Sequence, residues 1–179
     1  MVGGSARGRR LQSPAGSSTR PTSDRVREAV FNSLYSLGTR EDPEGSSLVE
    51  GSAVVDLFAG TGAMGIEALS RGASRVVFVE NDPAAAAVIR ANLDSTCLGP
   101  AELVRRDVLA WLERSAPPFD LAFCDPPYRY EHWPELLALV PARLLVAESD
   151  RPIGPAEGWD VTRSRRYGGT VVELLCRKR

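Results

Sequence analysis

The chain has one histidine, His132, and three scattered cysteines, Cys97, Cys124 and Cys176, in 179 residues. A histidine-based triad or a metal cluster therefore has almost nothing to build on, and no metal is expected. Three widely spaced thiols form neither a disulfide framework nor a zinc pattern, and they suit a reducing compartment. No run approaches the roughly 20 apolar residues that a membrane span requires. The first twenty residues hold four arginines and no apolar block, which argues against a secretory signal and for a cytoplasmic location. Lysine is also scarce, since 21 of the 22 basic residues are arginine. Alanine, glycine and proline are abundant as well, so that bias says little beyond codon composition. The length fits one domain, which at this size buries roughly 70% of its unfolded surface.

The net charge of −1 averages over an uneven chain. Residues 1–28 carry six arginines against Asp24 and Glu28, and residues 161–179 carry five arginines and Lys178 against Glu173. The remaining body, 29–160, holds 10 basic and 20 acidic residues. An acidic body with two basic ends suits a polyanion-binding surface beside a separate catalytic core. Charge alone is equally compatible with solvated tails.

The elements alternate. Residues 1–19, rich in Gly, Ser and Arg, read as a short hairpin or a flexible arm. A helix is expected from about Pro21, capped by Thr22 or Ser23, with Val26, Val30, Leu34 and Leu37 at helical spacing. Strands are expected at Ala53–Phe58, Arg75–Glu80, Glu102–Arg105, Leu121–Cys124 and Arg143–Glu148. Helices over Gly65–Arg71, Pro83–Leu93, Val108–Arg114 and Trp133–Leu139 fall between them. Trp159–Arg166 and Thr170–Cys176 flank Gly168-Gly169 as an antiparallel hairpin. Short apolar strands alternating with helices give an α/β fold, a mostly parallel sheet covered on both faces.

Gly60, Gly62 and Gly65 form a GxGxxG spacing between the first strand and its helix, where backbone can approach a nucleotide closely. Asp56 stands four residues earlier. A carboxylate there would repel a pyrophosphate at the helix N-terminus but suits a ligand with a cationic amino-acid moiety, such as S-adenosylmethionine (SAM). Glu80 ends the second strand, placed for ribose hydroxyls, and Asp107 follows the third, placed for an adenine amino group. Phe58, Thr61 and Asn81 complete this candidate cofactor set.

Asp125-Pro126-Pro127-Tyr128 follows the fourth strand. Proline ends a ladder, so a plain strand-ending turn is one reading. The chemistry offers another. An exocyclic amine on a base is a poor nucleophile because its lone pair is delocalised into the ring. The Asp125 carboxylate and the Pro126 carbonyl can accept both its N–H bonds while Tyr128 stacks on the base. Guanine N2, adenine N6 and cytosine N4 all need the same acceptors.

Taken together, Asp56–Gly65 and Asp125–Tyr128 resemble the class I (Rossmann-like) amino-methyltransferases. The run Arg20-Pro21-Thr22-Ser23-Asp24-Arg25-Val26-Arg27-Glu28-Ala29-Val30-Phe31-Asn32 resembles more narrowly the RsmD family of bacterial 16S ribosomal RNA guanine-N2 methyltransferases. Gly3–Leu11 is similar to that family's N-terminal hairpin. The resemblance implies a seven-stranded sheet with a reversed last hairpin, a small N-terminal β-hairpin and helix extension, and SAM as methyl donor. It implies a division into an N-terminal basic arm, 1–20, and a methyltransferase domain, 21–179. The implied partner is 16S rRNA within an assembled or nearly assembled 30S subunit, met by a monomer. Arg7, Arg9, Arg10, Arg20, Arg25 and Arg27 are the candidate phosphate contacts. A protein-glutamine N5-methyltransferase would share the cofactor site but typically carries Asn where Asp125 stands.

Overall fold

The computed structural model describes residues 1–13, 24–41, 47–114, 116–154 and 156–178. Arg20 and the expected caps Thr22 and Ser23 lie outside them. Helix α1 (Asp24–Glu41) is followed by five strands with four helices between them: β1 (Ala53–Leu57), α2 (Ala63–Ser70), β2 (Arg75–Val79), α3 (Pro83–Thr96), β3 (Ala101–Val104), α4 (Val108–Leu112), β4 (Phe119–Cys124), α5 (Trp133–Leu139) and β5 (Ala142–Ser149). The chain ends with the hairpin β6 (Trp159–Tyr167) and β7 (Thr170–Arg177). Beyond the N-terminal segment the expected elements are all present, with boundaries moved by a turn or less.

The seven strands lie in the order β3-β2-β1-β4-β5-β7-β6. All pairs are parallel except those made by β7, which inserts antiparallel between β5 and β6. Strand alternation divides the buried side chains between two layers. Val54, Phe78, Leu121, Phe123 and Val146 face α1, α2 and α3, meeting Leu34, Ile66 and Ile89. Val55, Val77, Ala122 and Leu145 face α4 and α5, meeting Val108, Leu112, Leu136 and Leu137. A sheet covered on both sides leaves its carboxyl edge as the place for a ligand, and the strand order reverses between β1 and β4 at that edge.

The N-terminus departs from expectation. No strand occurs among residues 1–13. The segment is neither a β-hairpin nor a free arm but a series of turns held on the protein. The Gly8 amide donates to the Met1 carbonyl at 3.0 Å and Arg9 to Ala6 at 3.1 Å. Gly4 adopts φ +70°, and a side chain there would stand 1.8 Å from the Ser70 carbonyl oxygen. That close approach, together with the bonds of the Ser5 and Ala6 amides to Ser70, rules out extended pairing.

Buried polar side chains fasten this segment. Glu67, fully enclosed in α2, accepts from the Val2 amide at 3.0 Å and from Arg71 at 2.8 Å, and lies 3.5 Å from the Arg27 guanidinium. Asn92, equally enclosed in α3, accepts from the Gln12 amide at 2.7 Å and donates back to the Gln12 carbonyl at 3.1 Å.

Candidate functional site

The loop from Phe58 to Gly62 is held by side chains of the surrounding elements. Phe58, Gly60 and Gly62 all have positive φ, of 56°, 54° and 75°. For Phe58 that conformation is strained, a feature that gathers at functional loops. Three side chains from separate elements hold the loop. Glu80, at the end of β2, accepts the Gly60 amide and the Asp82 amide, each at 2.8 Å. Asp56, in β1, accepts the Gly65 amide at the start of α2 at 2.9 Å. Asn92 donates to the Thr61 carbonyl at 3.0 Å. Gly65 is demanded by packing, because a side chain there would come within 2.3 Å of the Phe78 ring. At Gly60 the need is conformational: a side chain would meet nothing closer than the Phe58 carbonyl oxygen at 3.9 Å. The backbone face above Gly60 is therefore open.

Asp56 is only 4% exposed. Burial pushes its pKa up to about 7, the Gly65 hydrogen bond pulls it down, and the neighbouring Glu80 raises it again. A carboxyl group so placed is poised to ionise fully when a cation arrives. Asp107 caps α4, accepting the Ala110 amide at 3.0 Å, and is exposed. Asn81 is exposed beside Glu80, and Thr61 is half-buried.

Asp125 follows β4 directly, and its amide reaches the Leu57 carbonyl at 3.4 Å. Asp125 is exposed, Pro126 is buried and Tyr128 is 62% exposed. Arg129 turns the chain with φ 65°. Cys124 is buried, and burial, with Asp125 and Asp56 nearby, pushes its thiol pKa well up, as suits an inert packing residue.

These residues form one row. Along the carboxyl edge, in strand order β3, β2, β1, β4, stand Asp107, Glu80, Asp56 with its glycine loop, and Asp125. At about 4.8 Å per strand the row spans roughly 15 Å. An elongated ligand lying across the first three positions would end beside the fourth.

The arginines fare differently. Arg27, contrary to expectation, is 4% exposed, paired with Asp24 and Glu67, and is not available to phosphate. Arg7, Arg10 and Arg25 are exposed. Arg9 is exposed but donates to the Ser95 carbonyl at 2.7 Å. Because α2 and α3 start at the carboxyl edge and run back, Ser70, which holds Ser5 and Ala6, and Ser95, which holds Arg9, stand at the far ends of these helices from that edge.

Three residues that fasten the N-terminal segment and the candidate loops escape sequence reasoning: Glu67, Asn92 and Tyr130. Asn92 does leave a signal, since it falls on the buried stripe Ala85, Ile89, Asn92, Thr96 of α3, where a polar side chain must find partners. Tyr130 packs edge-on to Phe58 and to Trp133, with ring centroids 5.3 and 5.6 Å apart. It thereby ties the loop after β4 to the loop after β1. Its hydroxyl is enclosed with no hydrogen-bond partner among the described residues. Burial pushes its pKa up to about 12, with Cys124, Asp107 and Glu135 adding to the rise.

Residues 1–176 match the family described as "Conserved hypothetical protein 95". The chain is 36% identical to the Ribosomal RNA small subunit methyltransferase D of Escherichia coli K12, covering 99% of this chain and 89% of that one. The solved structure of Escherichia coli yhhF, described as a methyltransferase, superposes with a TM-score of 0.83 at 31% identity, covering 99% of this chain and 97% of that one. A hypothetical protein of Thermus thermophilus superposes with a TM-score of 0.78 at 32% identity, covering 97% and 96%. A glycine loop, a carboxylate on each neighbouring strand and a full-length match together place the chain in the RsmD family, with the class I methyltransferase fold.

Proposed function

We propose that this protein transfers a methyl group from SAM to the exocyclic N2 of a guanine in 16S ribosomal RNA in the cytoplasm. The observation that carries the reading is the row Asp107, Glu80, Asp56 and Asp125 at consecutive strand ends, with Asp-Pro-Pro-Tyr at its last position. The name of the Escherichia coli relative supports ribosomal RNA of the small subunit as substrate.

The residues fit the cofactor. The open backbone face at Gly60 admits close approach, and the unpartnered Tyr130 hydroxyl supplies a polar group beside Phe58. Asp56, with Thr61 and the loop amides, would hold the amino-acid end. Glu80 and Asn81 would take the ribose, and Asp107 the adenine amino group. When bound, SAM supplies an electrophilic methyl carbon on a sulfonium.

The chain's own work is positioning and charge complementarity. Asp125 and the Pro126 carbonyl accept the two N–H bonds of the target amine and turn its lone pair toward the donor. Tyr128, largely exposed, stacks on the base. Asp125 and Pro126 would thereby keep the target nitrogen facing the methyl group that SAM would supply, and the amine's surplus proton would leave to water near Asp125. Arg7, Arg10 and Arg25 contribute phosphate contacts.

The test offers tritiated SAM and the protein to small subunits from a strain lacking this gene, beside naked rRNA, DNA and protein fractions. Label in 16S rRNA that digests to N2-methylguanosine is the expected result. Label released as N6-methyladenosine or N4-methylcytidine, or found only in DNA or protein, would overturn the substrate.

A further inference from the structure

The outer strand of the sheet carries three arginines at the same edge as Asp125. Strand β7 is antiparallel to both β5 and β6, so β6 points the same way as β4 and β5. Its carboxyl end therefore lies at the site edge. The register can be followed across the sheet: Cys124 pairs with Ala147, Ala147 with Glu173, and Glu173 with Ser164. One residue further along, Glu148 pairs with Val172 and Val172 with Arg165. Arg165 thus stands level with Asp125, three strands away, or roughly 14 Å at about 4.8 Å per strand. Arg166 is one residue nearer the edge.

Arg163, Arg165 and Tyr167 alternate onto the face shared with α1, where they line a shallow groove with Val30, Ser33 and Leu174. Arg27, Arg71 and Lys178 each have a carboxylate within 4.0 Å. Arg163, Arg165 and Arg166 have none among the described residues. Three unneutralised cations in four residues repel one another. Charge on an edge strand can serve only to discourage strand addition. That role would protect the amino half of β6 as well, yet Val161 there is 44% exposed and the arginines are confined to the carboxyl half.

A second observation gives the charge a use. The body of the chain, residues 29–160, has twice as many acidic as basic residues. A polyanion brought to Asp125 meets a field of its own sign unless cations stand beside the site. Of the described N-terminal arginines, Arg9 is bonded to Ser95 at the far end of α3 and Arg27 is buried, so Arg7, Arg10 and Arg25 are the exposed ones left to share that task.

We propose that the carboxyl half of β6, Arg163, Arg165 and Arg166, together with the groove against α1, is a docking surface for the RNA phosphate backbone that flanks the target nucleotide. This rests on the reading of the chain as an RNA methyltransferase. The surface supplies affinity and orientation; the base itself is read at Asp125–Tyr128.

The test compares the wild type with R163A/R165A/R166A and R163K/R165K/R166K. Binding to naked 16S rRNA and to small subunits from a strain lacking this gene is measured across salt concentrations, beside SAM affinity by calorimetry. The alanine variant should lower the slope of log K against log salt by about 2, raise KM for RNA roughly tenfold or more, and leave SAM affinity within about twofold. The lysine variant should keep the slope. An unchanged slope and KM in a correctly folded alanine variant would overturn the surface. Loss of binding to assembled subunits alone, with naked RNA binding intact, would make it a ribosomal-protein contact and overturn it equally. If the slope falls as expected but the wild type methylates no guanine, the surface stands and the guanine-N2 reading fails.

Discussion

The amide of Gly60 donates to the Glu80 carboxylate at 2.8 Å, so the residue proposed to hold a ribose also holds the loop proposed to receive the rest of the cofactor. Its other oxygen takes the Asp82 amide. Glu80→Gln keeps the shape but turns one acceptor into a donor facing an N–H group. SAM affinity should fall roughly 10- to 100-fold and stability by about 1–3 kcal/mol. Titration calorimetry and denaturant unfolding check both, and an unchanged affinity would free the loop from Glu80.

Asp56 makes the protein pH-sensitive near neutrality. Its folded pKa of about 7 lies above the ordinary 3.8. The folded chain therefore keeps a proton that the unfolded chain has lost, and the contribution of Asp56 to stability declines as pH rises between those two values. A cationic ligand needs the ionised form, so SAM affinity should climb with pH up to and through about 7, by at most tenfold per pH unit. Asp56→Asn should flatten both profiles. Calorimetry at mildly acidic through mildly alkaline pH decides the matter: affinity that is flat across this range in the wild type would remove Asp56 from contact with the cation.

Asp125 is exposed and lies beyond the cofactor positions of the row. Asp125→Ala should abolish methyl transfer, hold SAM affinity within a few fold, and change stability by less than about 0.5 kcal/mol. Residual transfer accompanied by lost cofactor binding would move this carboxylate to the cofactor side.

Arg25 and Arg27 are close in sequence with separate fates. Arg27→Ala leaves Glu67 buried with a weakened set of partners and should cost about 3 kcal/mol in a denaturant melt, with the salt slope of RNA binding unchanged. Arg25→Ala should leave stability within about 0.5 kcal/mol and lower that slope by about 1. The reverse pattern would contradict the burial of Arg27 and the exposure of Arg25.

Much of the fold is legible in the chain because its grammar is local. Short apolar strands, the first four each followed by a helix, dictate a covered parallel sheet, and Gly168-Gly169 dictates the final hairpin. The carboxylate row is legible for a related reason, since Asp56, Glu80, Asp107 and Asp125 all fall at strand ends. What escaped depends on distant partners. Arg27 counts as one more cation in the sequence, and only the fold reveals that Glu67, far along the chain, turns it inward. The N-terminal glycines read as a hairpin signal until the approach of Gly4 to Ser70 shows them spent on turns. Arg163–Arg166 register in the sequence only as charge, because their level relative to Asp125 exists only once β7 has inserted between β5 and β6.

Asn92 spends its two donor contacts on carbonyls from different parts of the chain, Gln12 and Thr61, while its oxygen takes the Gln12 amide. The N-terminal segment and the Phe58–Gly62 loop are thus fastened by one side chain. Order in either is thermodynamically linked to order in the other, in both directions and by the same factor. Hydrogen exchange would read the linkage without turnover: filling the loop should slow exchange at the Gln12 amide, and Asn92→Ala should make that amide indifferent to the ligand.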